Sequence, residues 1–179
     1  MDDSAFWQAI DRSREGVEGD VEAQAEALHA LLSGWSPEEV AAFDAAFIRH
    51  NLELHRWDLW AAAEVLIGWC SGDVFTDFRS WVVAQGSEYF EACRADPAVL
   101  ADGRLADEEE VGVAEVLAAT ASQVYEDLTG RSIEDDFPGH PNVFDVDEPA
   151  GERLDEATIA RRFAAIRPIA HIPAPGGPR

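Results

Sequence analysis

Apolar residues recur along most of the chain at intervals of three or four positions, which places them on one face of an α-helix. The sequence shows no alternating apolar–polar pattern and no internal repeat. The predicted fold class is therefore all-α, an irregular multi-helix bundle. The pattern predicts helices from residues 2–4 to Gly16, Asp20 to Gly34, Ser36 to Leu54, Trp57 to Trp69, Val74 to Gln85, Ser87 to Ala95, about Asp107 to Leu128 and about Asp155 to Ile166.

The clearest helix start is the segment Ser36-Pro37-Glu38-Glu39. The serine caps the first turn, the proline fits the first helical position because no N–H is needed there, and Glu39 completes a capping box. The segment Trp57–Trp69 is apolar on all sides except at Asp58 and Glu64. A helix of this kind is surrounded by other elements, so we expect it at the centre of the bundle.

Proline and glycine mark the C-terminal part of the chain. Residues 137–151 are predicted to form a long loop before the last helix, and residues 168–179 a flexible tail. We therefore expect a single helical domain over residues 1–167. A chain of 179 residues is long enough to bury most of its apolar surface in one core.

The charge of the chain is strongly negative, because 36 acidic residues outnumber 13 basic ones and give a formal net charge of −23. Binding to nucleic acids and to anionic membranes depends on Lys and Arg, so neither is a predicted partner. A basic protein or a cationic ligand would be attracted, unless the charge serves only solubility. The densest acidic runs, 107–110, 134–136 and 145–148, predict an acidic face near the long helix and the 137–151 loop.

Three features predict a cytoplasmic location. The N-terminus Met1–Ser4 carries acids where a targeting peptide carries bases. Two cysteines are too few for a disulfide framework. The longest apolar stretch, Leu59–Cys70, is interrupted by Glu64 and is shorter than the ~20 residues that span a bilayer.

Candidate chemistry concentrates between Trp57 and Gly86. Cys70 precedes a predicted helix, where the helix dipole lowers a thiol's pKa and backbone N–H groups can hold an anion. On a functional interpretation, Cys70 is a nucleophile or part of an anion pocket. On a structural one, it is a small buried residue beside an ordinary helix cap formed by Ser71 or Asp73.

Acidic residues form a second group there. Asp73 and Asp77 share a helical face, and Asp58 and Glu64 lie on the preceding helix. Carboxylates suit divalent cations, but no histidine stands at the spacing of helical di-iron sites, so no metal is predicted. We expect Arg79 to be buried and paired with one of these acids, because a buried charge needs a partner.

Four tryptophans, Trp57, Trp60, Trp69 and Trp81, also fall in this region and form either core or a pocket wall. His50 and His55 are five apart, which does not suit a shared metal site. The sequence contains no phosphate loop, dinucleotide fingerprint, nucleophile elbow or zinc knuckle, and no cofactor is predicted.

One block of the sequence is distinctive: Trp57-Asp58-Leu59-Trp60-Ala61-Ala62-Ala63, then Gly68, Cys70-Ser71, Asp73, Phe75, Asp77-Phe78-Arg79, Trp81 and Gln85-Gly86. It resembles the uncharacterised bacterial domain-of-unknown-function family number 4240, with which Phe6-Trp7 and Glu148–Glu152 also agree, over residues 3–167. Trp69 stands where the resemblance implies a small residue, and Gly72 where it implies an acid. The resemblance implies a helical fold and no particular activity.

Two functional hypotheses follow. The first is a non-catalytic acidic binding or regulatory domain that engages a basic protein partner, in the manner of small immunity or antitoxin-type proteins. The second is an enzyme or small-molecule binder with a pocket between the Trp57–Trp69 and Val74–Gln85 helices. Its candidate binding residues are Trp57, Asp58, Trp60, Cys70, Asp73, Asp77, Arg79 and Trp81. Oligomeric state does not follow from the sequence.

Overall fold

The structure is a computed structural model that describes residues 1–17, 19–107, 109–143 and 148–169. Within these ranges it contains helices and no strand, which confirms the all-α fold class. The helices are α1 (Asp3–Arg14), α2 (Val21–Leu32), α3 (Pro37–Glu53), α4 (Trp57–Ile67), α5 (Gly72–Ala84), α6 (Ser87–Ala95), a 3-10 helix (Pro97–Asp102), α7 (Glu109–Thr129), α8 (Ile133–Asp136) and α9 (Glu156–Arg162).

Side chains at the helix starts provide the hydrogen bonds that the backbone lacks there. The predicted capping box is confirmed, because Ser36 N donates to Glu39 Oε2 at 2.9 Å and Glu39 N donates to Ser36 Oγ at 3.3 Å. Asp2 and Asp20 accept backbone hydrogen bonds at the starts of α1 and α2. Most predicted boundaries therefore lie within a few residues of the observed ones.

Two short helices, the 3-10 helix and α8, were not predicted from the sequence. Asp96-Pro97 begins the 3-10 helix, and Asp96 Oδ1 accepts a hydrogen bond from Ala98 N at 3.1 Å. Ser132 caps α8 in the same way. An aspartate followed by a proline ends one helix and also suits the start of the next, so the pattern alone does not distinguish the two outcomes.

The centre of the bundle is α5, since residues 78–84 of this helix are all buried. Helix α7 packs across α2, α3 and α5. The prediction that Trp57–Trp69 forms the central helix is wrong, because Glu64 is exposed and Trp69 is 54% exposed. Tryptophan carries a polar N–H on an apolar ring, so a segment rich in tryptophan can lie at the edge of the core.

Glycine is required between α5 and α6. Gly86 has a φ of 89°, a conformation that side chains with a Cβ rarely adopt. A Cβ at this position would lie 2.8 Å from Asp11 Oδ1 and 3.0 Å from Arg14 Nη1. The turn therefore brings α6 against α1 at a distance that leaves no room for a side chain.

The segment after α8 is attached to the bundle by its backbone. Trp57 N donates to Ala150 O at 3.0 Å, and Ala150 N donates to His55 O at 2.8 Å, which forms an isolated bridge between Arg56 and Ala150. Phe163 and Ile166 are buried in the core. Beyond the predicted domain end at residue 167, Ile169 N still donates to Leu66 O at 2.9 Å. Residues 170–179 of the predicted tail lie outside the described residues.

Candidate functional site

Aromatic rings fill the interface between α4 and α5, where the sequence suggested a pocket. Trp60 stacks on Phe75 with ring centroids 4.6 Å apart, and Trp57 stacks on Trp60 at 5.6 Å. Trp60 Nε1 donates to Cys70 O at 3.0 Å. Trp81 is fully buried farther along α5. These rings act as packing in the structure, and Trp57 and Trp60 are half-buried at its edge.

Asp58 links the start of α4 to α9 near the end of the chain. Its Oδ2 lies 2.8 Å from Arg56 Nη2 and 3.2 Å from Arg162 Nη2. Arg162 also contacts Asp96 at 3.3 Å. The Asp58 carboxylate thus pairs with two guanidinium groups. The one from Arg162 connects α9 to α4.

Arg79 is buried, as predicted. The prediction that it pairs with a carboxylate is wrong, because no carboxylate among the described residues contacts its guanidinium group. Its guanidinium donates to Phe75 O at 3.3 Å, to Asn51 O at 3.3 Å and to Thr76 Oγ1 at 2.9 Å. Burial lowers the pKa of Arg79 to about 10, which still leaves it charged at neutral pH. Carbonyl and hydroxyl oxygens replace the carboxylate, and Arg79 connects α5 to the end of α3.

The Cys70 thiol does not have the properties of a nucleophile. Burial, followed by the negative charge of Glu64, raises the pKa of Cys70 to about 12. A reactive thiol needs a pKa shifted in the opposite direction. Ser71 caps α5, since its Oγ accepts a hydrogen bond from Val74 N at 3.3 Å. The structure therefore matches the alternative in which this turn is an ordinary helix start.

A cavity of about 590 Å³ lies on the opposite side of α5, between α3, α5 and α7. Among the described residues that line it, none is Arg or His. Its acidic lining residues are Asp44, Asp73, Asp77, Glu115 and Glu134. We call this space the acidic cavity. Of the eight residues predicted as a binding site, only Asp73 and Asp77 line it.

The helices supply the lining in three stripes of identical spacing. The stripe on α3 is Asp44, Phe47, Ile48 and Asn51; that on α5 is Asp73, Thr76, Asp77 and Ser80; and that on α7 is Glu115, Ala118, Ala119 and Ser122. Positions i, i+3, i+4 and i+7 share one helical face. Each stripe begins with an acid and ends with a small polar residue.

A buried hydrogen bond between His140 and Asp44 lies beside the acidic cavity. His140 Nε2 lies 2.7 Å from Asp44 Oδ2, and the two side chains are 5% and 6% exposed. This contact holds the segment after α8 against α3, so that residues 141–143 line the cavity. The two residues are 96 positions apart in the sequence, and no local pattern predicted their contact.

Four of the five carboxylates have no cationic partner among the described residues: Asp73, Asp77, Glu115 and Glu134 appear in none of the ion pairs found there. Burial raises the pKa of Asp77 to about 6, and the charges of Glu115 and Asp73 act in the same direction. Like charges held together in a half-buried space disfavour ionisation. No cation among the described residues therefore pairs with these carboxylates, of which Asp77 is half-buried and the other three are exposed to solvent.

Asn51 lines the same cavity with a side chain that is almost completely buried. The residue is 1% exposed, and its Nδ2 donates to Ser80 Oγ at 2.8 Å and to Thr76 O at 3.2 Å. Its Oδ1 is buried and accepts no hydrogen bond from any described residue. Buried acceptors without a donor are rare in folded proteins.

The family model described as "Protein of unknown function (DUF4240)" matches residues 1–127. The chain belongs to the DUF4240 family. The match covers α1 to α6 and most of α7, and it ends before the segment Glu148–Glu152 that also suggested the resemblance. No curated protein and no solved structure matches this DUF4240 chain.

Two further findings limit the chemistry of this DUF4240 protein within its described residues. No group of three or more His, Cys, Asp or Glu side chains is arranged to hold a metal ion there. Over the same ranges, every helix is too short or too polar to cross a membrane.

Proposed function

We propose that this DUF4240 protein is a non-catalytic binding domain that engages a basic protein partner at the acidic cavity. The proposal rests on those carboxylates of the acidic cavity that have no cationic partner among the described residues. A ligand that brings positive charge would relieve their mutual repulsion. The cavity volume of about 590 Å³ falls within the range of ordinary binding sites.

The charge of the whole chain supports the same class of partner. With a net charge of −23, the protein attracts basic proteins over long distances and repels phosphate backbones. Glu134 belongs to one of the densest acidic runs and lines the cavity, while residues 145–147 of another run lie outside the described residues. Opposite charge on a partner would accelerate association more than it would increase the final affinity.

The alternative from the sequence, an enzyme or small-molecule binder with a pocket between α4 and α5, receives less support. Trp60 and Phe75 are in contact there, and the Cys70 thiol is protonated at neutral pH. A cytoplasmic location remains an expectation from the sequence and is compatible with a protein partner in the same compartment.

The proposal is tested by identifying the partner and measuring its association rate. The tagged protein captures interacting proteins from an extract of its source organism, and the purified partner is then studied by stopped-flow kinetics. We expect a basic protein whose association slows steeply between about 0.01 M and about 0.15 M salt, because the screening length falls from ~30 Å to ~8 Å.

A matched pair of double variants locates the interaction. Asp73→Asn with Glu115→Gln removes two charges from the cavity, and Asp11→Asn with Glu126→Gln removes two exposed charges elsewhere. We expect the first pair to lower the association rate on the order of tenfold and the second pair to have a much smaller effect. Equal effects of both pairs, or a nucleic acid as the direct partner, would contradict the proposal.

A further inference from the structure

We propose that His50 is a proton-operated switch that controls how the start of α1 packs against α3. Its imidazole ring lies where α1, α3 and α6 meet and is 3% exposed. The centroid of this ring is 4.8 Å from that of Phe6, 4.7 Å from that of Trp7 and 5.2 Å from that of Phe90. His50 is not among the residues that line the acidic cavity, so the switch is separate from the proposed function.

The contacts of the ring define which nitrogen carries the proton in the neutral form. His50 Nε2 lies 3.4 Å from Arg49 Nη2. A guanidinium group can only donate, so Nε2 accepts in this contact and the proton is on Nδ1. Nδ1 is buried and has no hydrogen-bond partner among the described residues. It lies 3.7 Å from Glu53 Oε1, which is too far for a hydrogen bond.

Arg49 connects the His50 ring to α1. Arg49 Nη2 donates to Asp3 Oδ1 at 2.6 Å, and the same oxygen lies 3.6 Å from His50 Nε2. One guanidinium nitrogen therefore contacts both the first turn of α1 and the neutral imidazole. A proton on Nε2 would place two positively charged donors opposite each other. Arg49 would then withdraw from the ring, and the contact that holds Asp3 would be disturbed.

Charged groups face the ring from all three helices: Asp3 from α1, Arg49 and Glu53 from α3, and Glu91 from α6. All four of these side chains are exposed, so solvent screens their charges, whereas an imidazolium at His50 would lose its hydration. Burial lowers the pKa of His50 below its ordinary value of 6.5; Glu53 opposes this shift, Arg49 adds to it, and Asp3 and Glu91 oppose it. The closed packing of α1 therefore favours the neutral ring.

The direction of this shift determines how the switch responds to pH. Well above pH 6.5 the ring is neutral in the closed and the open arrangement, so His50 favours neither. As the pH falls below 6.5, the open arrangement takes up a proton more readily, and the closed packing becomes less stable until the closed form is protonated as well. Each unit by which the packing lowers the pKa favours opening by about tenfold.

Two measurements on the wild-type protein test the switch. An NMR titration of the imidazole signals gives the tautomer and the pKa of His50, and their loss in His50→Gln assigns them. Amide hydrogen exchange of α1, corrected for the intrinsic rate, is measured at about pH 7.5 and one unit below that pKa. We expect the proton on Nδ1 at neutral pH, a pKa below 6.5, and a loss of protection of up to about tenfold for each unit of lowering.

Variants separate His50 from the other acids and bases of the chain. His50→Phe keeps an aromatic ring and His50→Gln keeps a polar side chain, and neither titrates. Each variant that circular dichroism shows to be folded should lose the acid-dependent opening of α1. His29→Gln on α2 is the matched control and should keep the wild-type response. Arg49→Gln should raise the pKa of His50 in the NMR titration, which a purely structural contact would not do.

Three results would overturn the proposal. They are a His50 pKa of 6.5 or above, a proton on Nε2 at neutral pH, and an equal loss of α1 protection in the wild type and in a folded His50 variant. Should neither variant fold, the wild-type data still decide. Protection of α1 that stays constant while His50 titrates would then contradict the switch, and protection that falls with the same midpoint would support it.

Discussion

Replacing Asp77 with asparagine should stabilise the protein at neutral pH. Burial, Glu115 and Asp73 raise the pKa of Asp77 from an ordinary value of 3.8 to about 6. This shift of about 2 units corresponds to ~3 kcal/mol if fully expressed. Asp77 is only half-buried, so solvent screening reduces the effect, and we expect about 1 kcal/mol. For a chain of this size, that raises the melting temperature by about 2–4 °C.

The direction of the pKa shift determines how the stability increment from Asp77→Asn depends on pH. An acid whose folded-state pKa is raised destabilises the folded state once it ionises, so the penalty is absent below pH 3.8 and complete above a pH of about 6. The groups that face Asp77 are Asp73 on its own helix, Glu115 on α7, the Asp44–His140 pair and Glu134, all of which the variant retains. The increment from Asp77→Asn should therefore be present at neutral pH and nearly absent in acid.

Urea unfolding of the wild type and of Asp77→Asn, at about pH 3.5 and about pH 7.5, measures this increment. Asp11→Asn serves as the control, because this exposed carboxylate should change stability by less than about 0.5 kcal/mol. An increment of the same size at both pH values would refute the electrostatic reasoning and indicate a change in packing or helix propensity. A variant less stable than wild type at pH 7.5 would refute it outright.

Three other substitutions or reactions test separate features. His140→Ala should lower stability by about 1–3 kcal/mol in urea unfolding at neutral pH, because it leaves the buried Asp44 carboxylate without its hydrogen-bond donor; a loss below about 0.5 kcal/mol would show that this contact is not formed in solution. Gly86→Ala should cost about 1–2 kcal/mol in the same assay because of its positive φ, and an unchanged midpoint would contradict that. Cys70 should react with iodoacetamide at least about tenfold more slowly than a thiol of ordinary pKa, as measured by mass spectrometry, since burial raises its pKa to about 12 and the greater nucleophilicity of a more basic thiolate offsets only part of this effect; ordinary reactivity would contradict that.

Local signals in the sequence predicted the helices well. Ser36 and Glu39 form the expected capping box because both partners lie within one turn. The predicted end of the helix at Ala95 is confirmed, but the 3-10 helix that begins at Pro97 was not predicted, because the same residues can end one helix and begin another. The error over the centre of the bundle arose from treating Trp57–Trp69 as surrounded by other elements, although Trp60 is only half-buried and donates its N–H to Cys70 O.

The site was only partly predictable, because its residues come from distant parts of the chain. Asp73 and Asp77 were expected on one face, since i and i+4 positions adjoin on any helix. That this face meets Asp44 and Glu115 depends on how α3 and α7 cross α5, which the spacing within one helix does not determine. The Asp44–His140 contact spans 96 positions and leaves no local trace in the sequence.

The attachment of the last segment has a practical consequence for work on this family. The family match ends at residue 127, inside α7, whose last residue is Thr129. Ile133, Phe163 and Ile166 come after that point and are all buried in the core. A protein truncated at the end of the match would expose the surfaces that these side chains cover and lose the backbone bridge at Ala150. The unit of sequence similarity is therefore shorter than the packed core of this chain, and a fragment of it designed for expression should extend past Ile169, whose N–H donates to Leu66 O.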